Sequence, residues 1–207
     1  MTALETGIEL LDRELNGGIP AGSITAVLAP PASQSELLLY ELASARPTLY
    51  LTTIRTADDV RDVMATLGLG GDNVDVVPME NTAPDEYLLE LVAELPSSST
   101  LIVDPTEPFE QLPPTQYWDF LNELRDGLDD ANSIGFFHCL DGQHVPPRRD
   151  VTEYVADTVF KLSTERRGDS VENTLMVPKF RGGHALEDII KLTLTTSVDV
   201  DVSRNIV

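Results

Sequence analysis

The chain has 207 residues, with 35 acidic against 14 basic side chains, a formal net charge of -21 and a pI near 4.2. That length exceeds a disulfide-stapled mini-domain and suits one α/β domain over residues 1–207, and a 42% hydrophobic content excludes a disordered acidic tail. A single cysteine, Cys139, excludes an intramolecular disulfide; no basic-plus-apolar leader is visible and no apolar run nears the roughly 20 residues of a membrane span, so the expected setting is cytoplasmic, without membrane contact.

In chain order, short β-rich runs alternate with stretches of helical spacing. Strands are predicted over 24–28, 48–53, 74–77, 100–103, 134–138 and 158–162, each bounded by Gly, Pro, Ser or Asp. Helices are predicted over 35–45, 57–67, 85–95 and 116–128. The second of these has explicit end signals. Thr56 caps its first turn, Asp58 and Asp59 sit at the positive end of its dipole, and Gly68 and Gly70 stop it. Strands alternating with helices imply βαβ units and a parallel sheet covered on both faces. After Phe160 the pattern changes to strand, turn, strand: runs 174–180 and 189–195 flank Arg181-Gly182-Gly183 and 198–202 closes the chain, which predicts a C-terminal antiparallel meander. Pro-containing loops are expected over 104–114 and 141–150.

The charge has a distinctive make-up. Three lysines (Lys161, Lys179, Lys191) stand against 19 aspartates, and the acids are spread along the chain. This reads as a solvated acidic surface and resembles the composition of proteins from salt-accumulating haloarchaea, where long-range repulsion is screened. It argues against a nucleic-acid partner recognised through phosphate neutralisation.

Residues Thr6-Gly7-Ile8-Glu9-Leu10-Leu11-Asp12 and Leu15-Asn16-Gly17-Gly18-Ile19-Pro20-Ala21-Gly22 resemble the opening signature of the RecA-like domain in the KaiC and RadA group. The rest follows in register. Tyr50 to Val60 is similar to that group's second strand and following helix, Leu101-Ile102-Val103-Asp104 to its Walker B strand, Tyr154 to Val159 to its (F/Y)-x-x-D-x-(V/I) segment, and Lys179-Phe180-Arg181-Gly182 to its late K-x-R-G. The matches span about residues 6 to 200. The resemblance implies an α/β fold of the RecA-like P-loop NTPase type: a mostly parallel central sheet flanked by helices, with the C-terminal meander.

The resemblance also implies where a phosphate loop would fall, and the chain departs from it there. The G-x-x-x-x-G-K-(S/T) pattern lies on Ala29, Pro30, Pro31, Ala32, Ser33, Gln34, Ser35 and Glu36. Such loops work by turning backbone N–H groups onto phosphate, with a lysine on the β/γ oxygens and a hydroxyl on magnesium. Pro30 and Pro31 remove two of those donors, Ser35 stands at the lysine position, and Glu36 brings a carboxylate. The paired glutamates of the KaiC-like second strand, one of which activates water, fall on Ile54 and Arg55, neither of which is a general base at neutral pH. No catalytic residue, metal ligand set or cofactor is therefore assigned, and the reading points away from an enzyme.

Asp104, the remnant Walker B aspartate, is read as a strand-end carboxylate before Pro105 that caps or hydrogen-bonds the loop. His138 and Cys139, at the end of a predicted strand, invite a catalytic or metal reading, but neighbours on a strand point to opposite faces, and a buried thiol beside a partly buried imidazole is the simpler reading. Seven of the 14 basic residues lie between Arg148 and Arg181. In KaiC-like rings the late K-x-R-G reaches a neighbour's nucleotide, so Lys179 and Arg181 mark a trans-acting or partner face, against the simpler reading that they pair with local acids. The leading expectation is a non-catalytic regulatory or scaffold protein acting on a protein partner, a RecA/KaiC-like paralogue or a second copy of the chain. The alternatives are a nucleotide-binding sensor, a weak ATPase with an unconventional loop, and a DNA-binding regulator.

Overall fold

The computed structural model describes residues 2–79 and 83–200. The strands in chain order are β1 (Ala3–Leu4), β2 (Ile19–Pro20), β3 (Ile24–Ala29), β4 (Thr48–Thr52), β5 (Val74–Pro78), β6 (Thr100–Asp104), β7 (Ile134–Leu140), β8 (Thr158–Arg167), β9 (Ser170–Phe180), β10 (Ile190–Leu194) and β11 (Val198–Val200). The α-helices are α1 (Glu9–Glu14), α2 (Ser35–Ser44), α3 (Ala57–Leu67), α4 (Pro84–Ala93), α5 (Glu107–Glu110), α6 (Pro114–Asp130) and α7 (Arg149–Val155). Nine strands form one sheet in the order β11-β10-β9-β8-β3-β7-β6-β4-β5, parallel from β8 to β5 and antiparallel from β8 to β11. This is the predicted α/β architecture with its antiparallel C-terminal edge.

The central strands are buried on both faces, which is why β3, β4 and β6 read as near-continuous apolar runs. On one face α1, α2 and α3 pack a core that includes Leu11, Leu38, Tyr40, Val60, Tyr50, Ile102 and Phe136. The inner face of the meander, from Leu162 to Leu194, joins this same core, so the antiparallel strands wrap toward α2. On the other face α4 to α7 cover Leu28, Leu51, Val103 and Phe137, with Phe109, Tyr117 and Phe120 stacked together. Helix α3 begins and ends as its sequence dictates: the Thr56 hydroxyl accepts from the Asp59 N–H at 3.1 Å, and Gly68 closes the helix at φ 70°.

Several expectations were short. The strand predicted over 158–162 runs on to Arg167 and pairs with β9 across a turn at Gly168 (φ 62°), so the meander starts earlier than its apolar run. Beyond Leu162 the hairpin is mostly polar and only partly buried, and its main-chain ladder and cross-strand polar pairs such as Thr164 with Asn173 leave little hydrophobic signal. Helix α6 extends to both sides of 116–128, its start at Pro114 following from the fit of proline to a first-turn position. Helices α1, α5 and α7 were not predicted; at six, four and seven residues they are too short for a periodic pattern. Residues 201 and 202 of the last predicted strand lie outside the described residues.

Candidate functional site

The opening signature is a built turn. The Asp12 carboxylate accepts the N–H groups of Thr6 and Gly7 at 2.5 and 3.2 Å, and the Thr6 hydroxyl accepts the Ile8 N–H at 3.2 Å, so this triplet anchors the start of α1. Gly18 (φ 112°) lets the chain pass β1 closely, since a Cβ there would stand 2.1 Å from the Leu4 carbonyl oxygen. These residues position the first core strand.

After β3 the chain makes a tight turn. The Pro30 carbonyl accepts both the Ser33 N–H at 3.1 Å and the Ser33 hydroxyl at 2.7 Å. Pro31, Ala32 and Gln34 face solvent, Ser35 is buried at the start of α2, and Glu36 lies in its first turn. The turn therefore spends the Ser33 donors on its own backbone. Pro31 packs close to Gly142, where a Cβ would meet the proline ring at 3.0 Å.

Beneath α2, the carboxyl ends of β4, β6 and β7 bring together a buried polar cluster. Tyr50, Asp104 and His138 share one sheet face because they fall in phase with the apolar residues of that face: Tyr50 pairs with Ile102 and Ile102 with Phe136. One oxygen of Asp104 lies 2.6 Å from His138 Nδ1; the other accepts the Tyr50 hydroxyl at 2.5 Å and Arg55 Nη2 at 2.7 Å. Arg55 also donates to the Tyr40 hydroxyl at 2.9 Å and stands 5.9 Å from the Tyr40 ring centroid. The loop after β4 is held from both sides: the Thr52 hydroxyl donates to the Arg55 carbonyl at 2.9 Å, and the Thr53 N–H donates to the Asp104 carbonyl at 2.8 Å.

The electrostatics follow from this geometry. Burial alone would raise the Asp104 pKa, but hydrogen bonds from His138 and Tyr50 together with the Arg55 charge bring it down to about 2. Tyr50 is pushed well up by burial and by the adjacent carboxylate, and Tyr40 is raised by burial. For Arg55 burial disfavours the charge, yet Tyr50 and Asp104 hold its pKa above the usual range. The Asp104 side chain is 4% exposed and Arg55 33%. Both carboxylate oxygens are engaged, and the cation they face belongs to the chain itself. Among the described residues no group of three or more His, Cys, Asp or Glu forms a metal-ligand set.

Asp104 was expected to cap or bond the loop; its side chain turns inward in phase with Tyr50, and it meets the loop after β4 twice, through its carboxylate to Arg55 and through its main-chain oxygen to the Thr53 N–H. His138 is more deeply buried than expected, at 2% exposure, while Cys139 points into the opposite core. Tyr40 and Tyr50 were missed by sequence reasoning. For Tyr50 the available signal was a tyrosine two residues before the end of an apolar strand, in phase with the strand-end Asp104 of the neighbouring strand; Tyr40, on α2, left none.

Lys179 and Arg181 lie at the other end of the sheet. Lys179 donates to the carbonyls of Glu153 and Tyr154 at 2.8 and 2.7 Å, and Arg181 to that of Tyr154 at 2.9 Å and to the Asp157 carboxylate at 3.3 Å. With Arg125, which donates to the Val155 carbonyl and to Asp157, they satisfy the carbonyl end of α7. Asp157 also accepts the N–H of Ile24, the first residue of β3, whereas the Pro30 turn leaves its last. Six strand residues at about 3.3 Å each put these cations about 20 Å from the turn. The basic residues of 148–181 do not form one face. Arg149 is 3% exposed inside a node with Glu107 and Glu110 (2.7 to 2.9 Å), closed by Thr152 and Tyr117.

The order of strands, the helices on both faces and the placing of Asp104 at the end of β6 define a RecA-like fold of the KaiC type. A solved KaiC-like protein from the hyperthermophilic archaeon Pyrococcus horikoshii OT3 superposes with a TM-score of 0.79 over 97% of this chain and 99% of that one, at 14% identity. The chain belongs to a family of unknown function, DUF7125, whose model matches residues 3–207. No curated protein matches the sequence. No helix among the described residues is long and apolar enough to cross a membrane.

Proposed function

We propose that this chain is a non-catalytic member of the KaiC-like fold, a regulatory or scaffold protein that works through protein contacts. The observation that carries the reading is the Arg55–Asp104 pair. In an active relative the Walker B carboxylate serves a magnesium ion; here a guanidinium 2.7 Å away balances that carboxylate, and Tyr50 and His138 engage it as well. A divalent cation would have to displace a charged hydrogen bond and face Arg55 across a short distance, which is unfavourable at low local dielectric. The Pro30–Ser33 turn supports the same reading, because its backbone bonds to itself where a phosphate cradle would present free N–H groups. An acidic surface of this composition fits a salt-rich cytoplasm.

Calorimetry with magnesium ATP in molar KCl, paired with a phosphate-release assay, tests the proposal. The expected result is no release and no binding tighter than about 100 μM, a free energy near -5.5 kcal/mol. Saturable binding abolished by Asp104→Asn supports the nucleotide sensor instead, and phosphate release lost in that variant supports an ATPase.

One observation favours a particular kind of partner. Lys179 and Arg181 stand about 20 Å from the chain's own Pro30 turn, at the sheet end that a neighbouring subunit could meet, and each keeps donors beyond those spent on α7. This supports docking beside a RecA/KaiC-like paralogue. Pull-down of such proteins from the same organism, with ATPase rates measured with and without this chain, is the test; association unchanged by Lys179→Ala with Arg181→Ala removes the idea.

A further inference from the structure

The chain carries six Phe, five Tyr and one Trp, and two of these aromatic side chains are largely exposed, Tyr154 at 77% and Trp118 at 51%. Both stand beside the same group of cations. Tyr154 lies in the last turn of α7, with its ring centroid 5.8 Å from Lys179 Nζ. Trp118 precedes Arg125 by seven residues on α6, and two helical turns put both on one face of that helix. The cations themselves converge. Lys179 and Arg181 both donate to the Tyr154 carbonyl, and Arg181 and Arg125 both donate to the Val155 carbonyl and to the Asp157 carboxylate.

Capping α7 does not neutralise this charge. Burial and the neighbouring guanidiniums lower the Lys179 pKa, Arg181 acting more strongly than Asp157 and Arg125 more strongly than Glu153, so the potential at the ammonium stays positive in a chain of net charge -21. Donors are also left over: the Lys179 ammonium has a third proton beyond its two carbonyl bonds, and the Nε–H groups of Arg125 and Arg181 make none of the bonds above. The Arg181 and Arg125 side chains are 44% and 33% exposed, so these donors are within reach of a partner. Tyr, Trp and Arg together are the composition of protein-interface hot spots. A compact polyanion would engage the cations and leave both rings in water, whereas a chain segment that places carboxylates next to apolar side chains covers both. We propose that this face docks an acidic segment of a partner protein, with carboxylates on Arg125, Lys179 and Arg181 and apolar side chains on Tyr154 and Trp118. The inference rests on the reading that the chain works through protein contacts, and it states what such a partner presents.

Trp118 is the single tryptophan of the chain, so its fluorescence reports on this face directly. The test titrates the full chain, at constant ionic strength, with a blocked hexapeptide of alternating aspartate and leucine; the same peptide with asparagine for aspartate, and inorganic tripolyphosphate, are the controls. A saturable change in Trp118 emission is expected with the acidic peptide, with both controls at least about five-fold weaker. Lys179→Gln with Arg181→Gln should weaken the acidic peptide at least about five-fold, and Tyr154→Ala, at a side chain outside the core, should do the same without disturbing the fold. Equal or tighter binding of the asparagine peptide or of tripolyphosphate, an unchanged affinity in Tyr154→Ala, or no saturable change up to about 5 mM acidic peptide overturns the proposal. The titration contains no nucleotide and no paralogue, so its failure is distinct from a failure of the non-catalytic reading, which the ATP assays decide.

Discussion

Replacing Arg55 with Gln keeps much of the side-chain volume and removes the charge that faces Asp104. Asp104 is almost fully buried, and its displacement from 3.8 to about 2 corresponds to about 2.4 kcal/mol for all its partners together, at 1.36 kcal/mol per pH unit. His138 and Tyr50 remain in the variant, and Arg55 is one-third exposed, so solvent screens part of its share. The expected loss on Arg55→Gln is therefore about 1–2 kcal/mol at pH 7, below the roughly 3–5 kcal/mol for breaking a fully buried pair. The pH dependence has a definite sign. A carboxyl group whose folded pKa is depressed contributes its full stabilisation above the unfolded value near 3.8 and loses it as pH falls through about 2. In Arg55→Gln the folded value rises toward the unfolded one, so the difference in stability between wild type and variant should shrink on acidification from pH 5 to pH 2. Denaturant unfolding at several pH values, read as that difference, cancels the contribution of the other 34 acidic groups. A difference that is absent at pH 7, or constant down to pH 2, refutes the coupling.

Other consequences are equally direct. Arg149→Met leaves Glu110, at 0% exposure, without its cation and should cost about 3–5 kcal/mol; a midpoint shift below about 1 kcal/mol would contradict the buried node. Gly18→Ala forces a Cβ against the Leu4 carbonyl at φ 112° and should cost at least about 2 kcal/mol, or free β1 from β2 as read by proteolysis of the N-terminus. Burial raises the Cys139 thiol pKa well above its ordinary value, so a thiol reagent should label it only on unfolding, and labelling faster than global unfolding in the native state would refute its placement.

How much of this was legible beforehand differs by element. Helix α3 could be read to the residue, because the Thr56 hydroxyl and the left-handed Gly68 backbone act within one turn of the helix ends and need no distant partner. The parallel strands were legible as apolar runs, since burial on both faces writes itself into composition. The hairpin beyond Leu162 was not, because its polar residues pair through main-chain bonds. At the site, the departures at Pro30, Pro31, Ser35, Ile54 and Arg55 were all visible as residue types. That Arg55 turns back onto Asp104 was not, since the two are 49 positions apart and meet through the parallel pairing of β4 with β6.

By itself, then, the sequence determined the alternation of strands and helices, the acidic surface, and which chemical groups stand at the phosphate-loop and Walker B positions, because these depend on side-chain type and local spacing. Only the tertiary structure decided what those groups do: strand register put Tyr50, Asp104 and His138 on one buried face, where low dielectric makes a guanidinium the carboxylate's partner, and it drew Arg149 inside while leaving Lys179 and Arg181 at the far end of the sheet. Contacts of that kind depend on which residues are brought together across the sheet, and no local pattern encodes them.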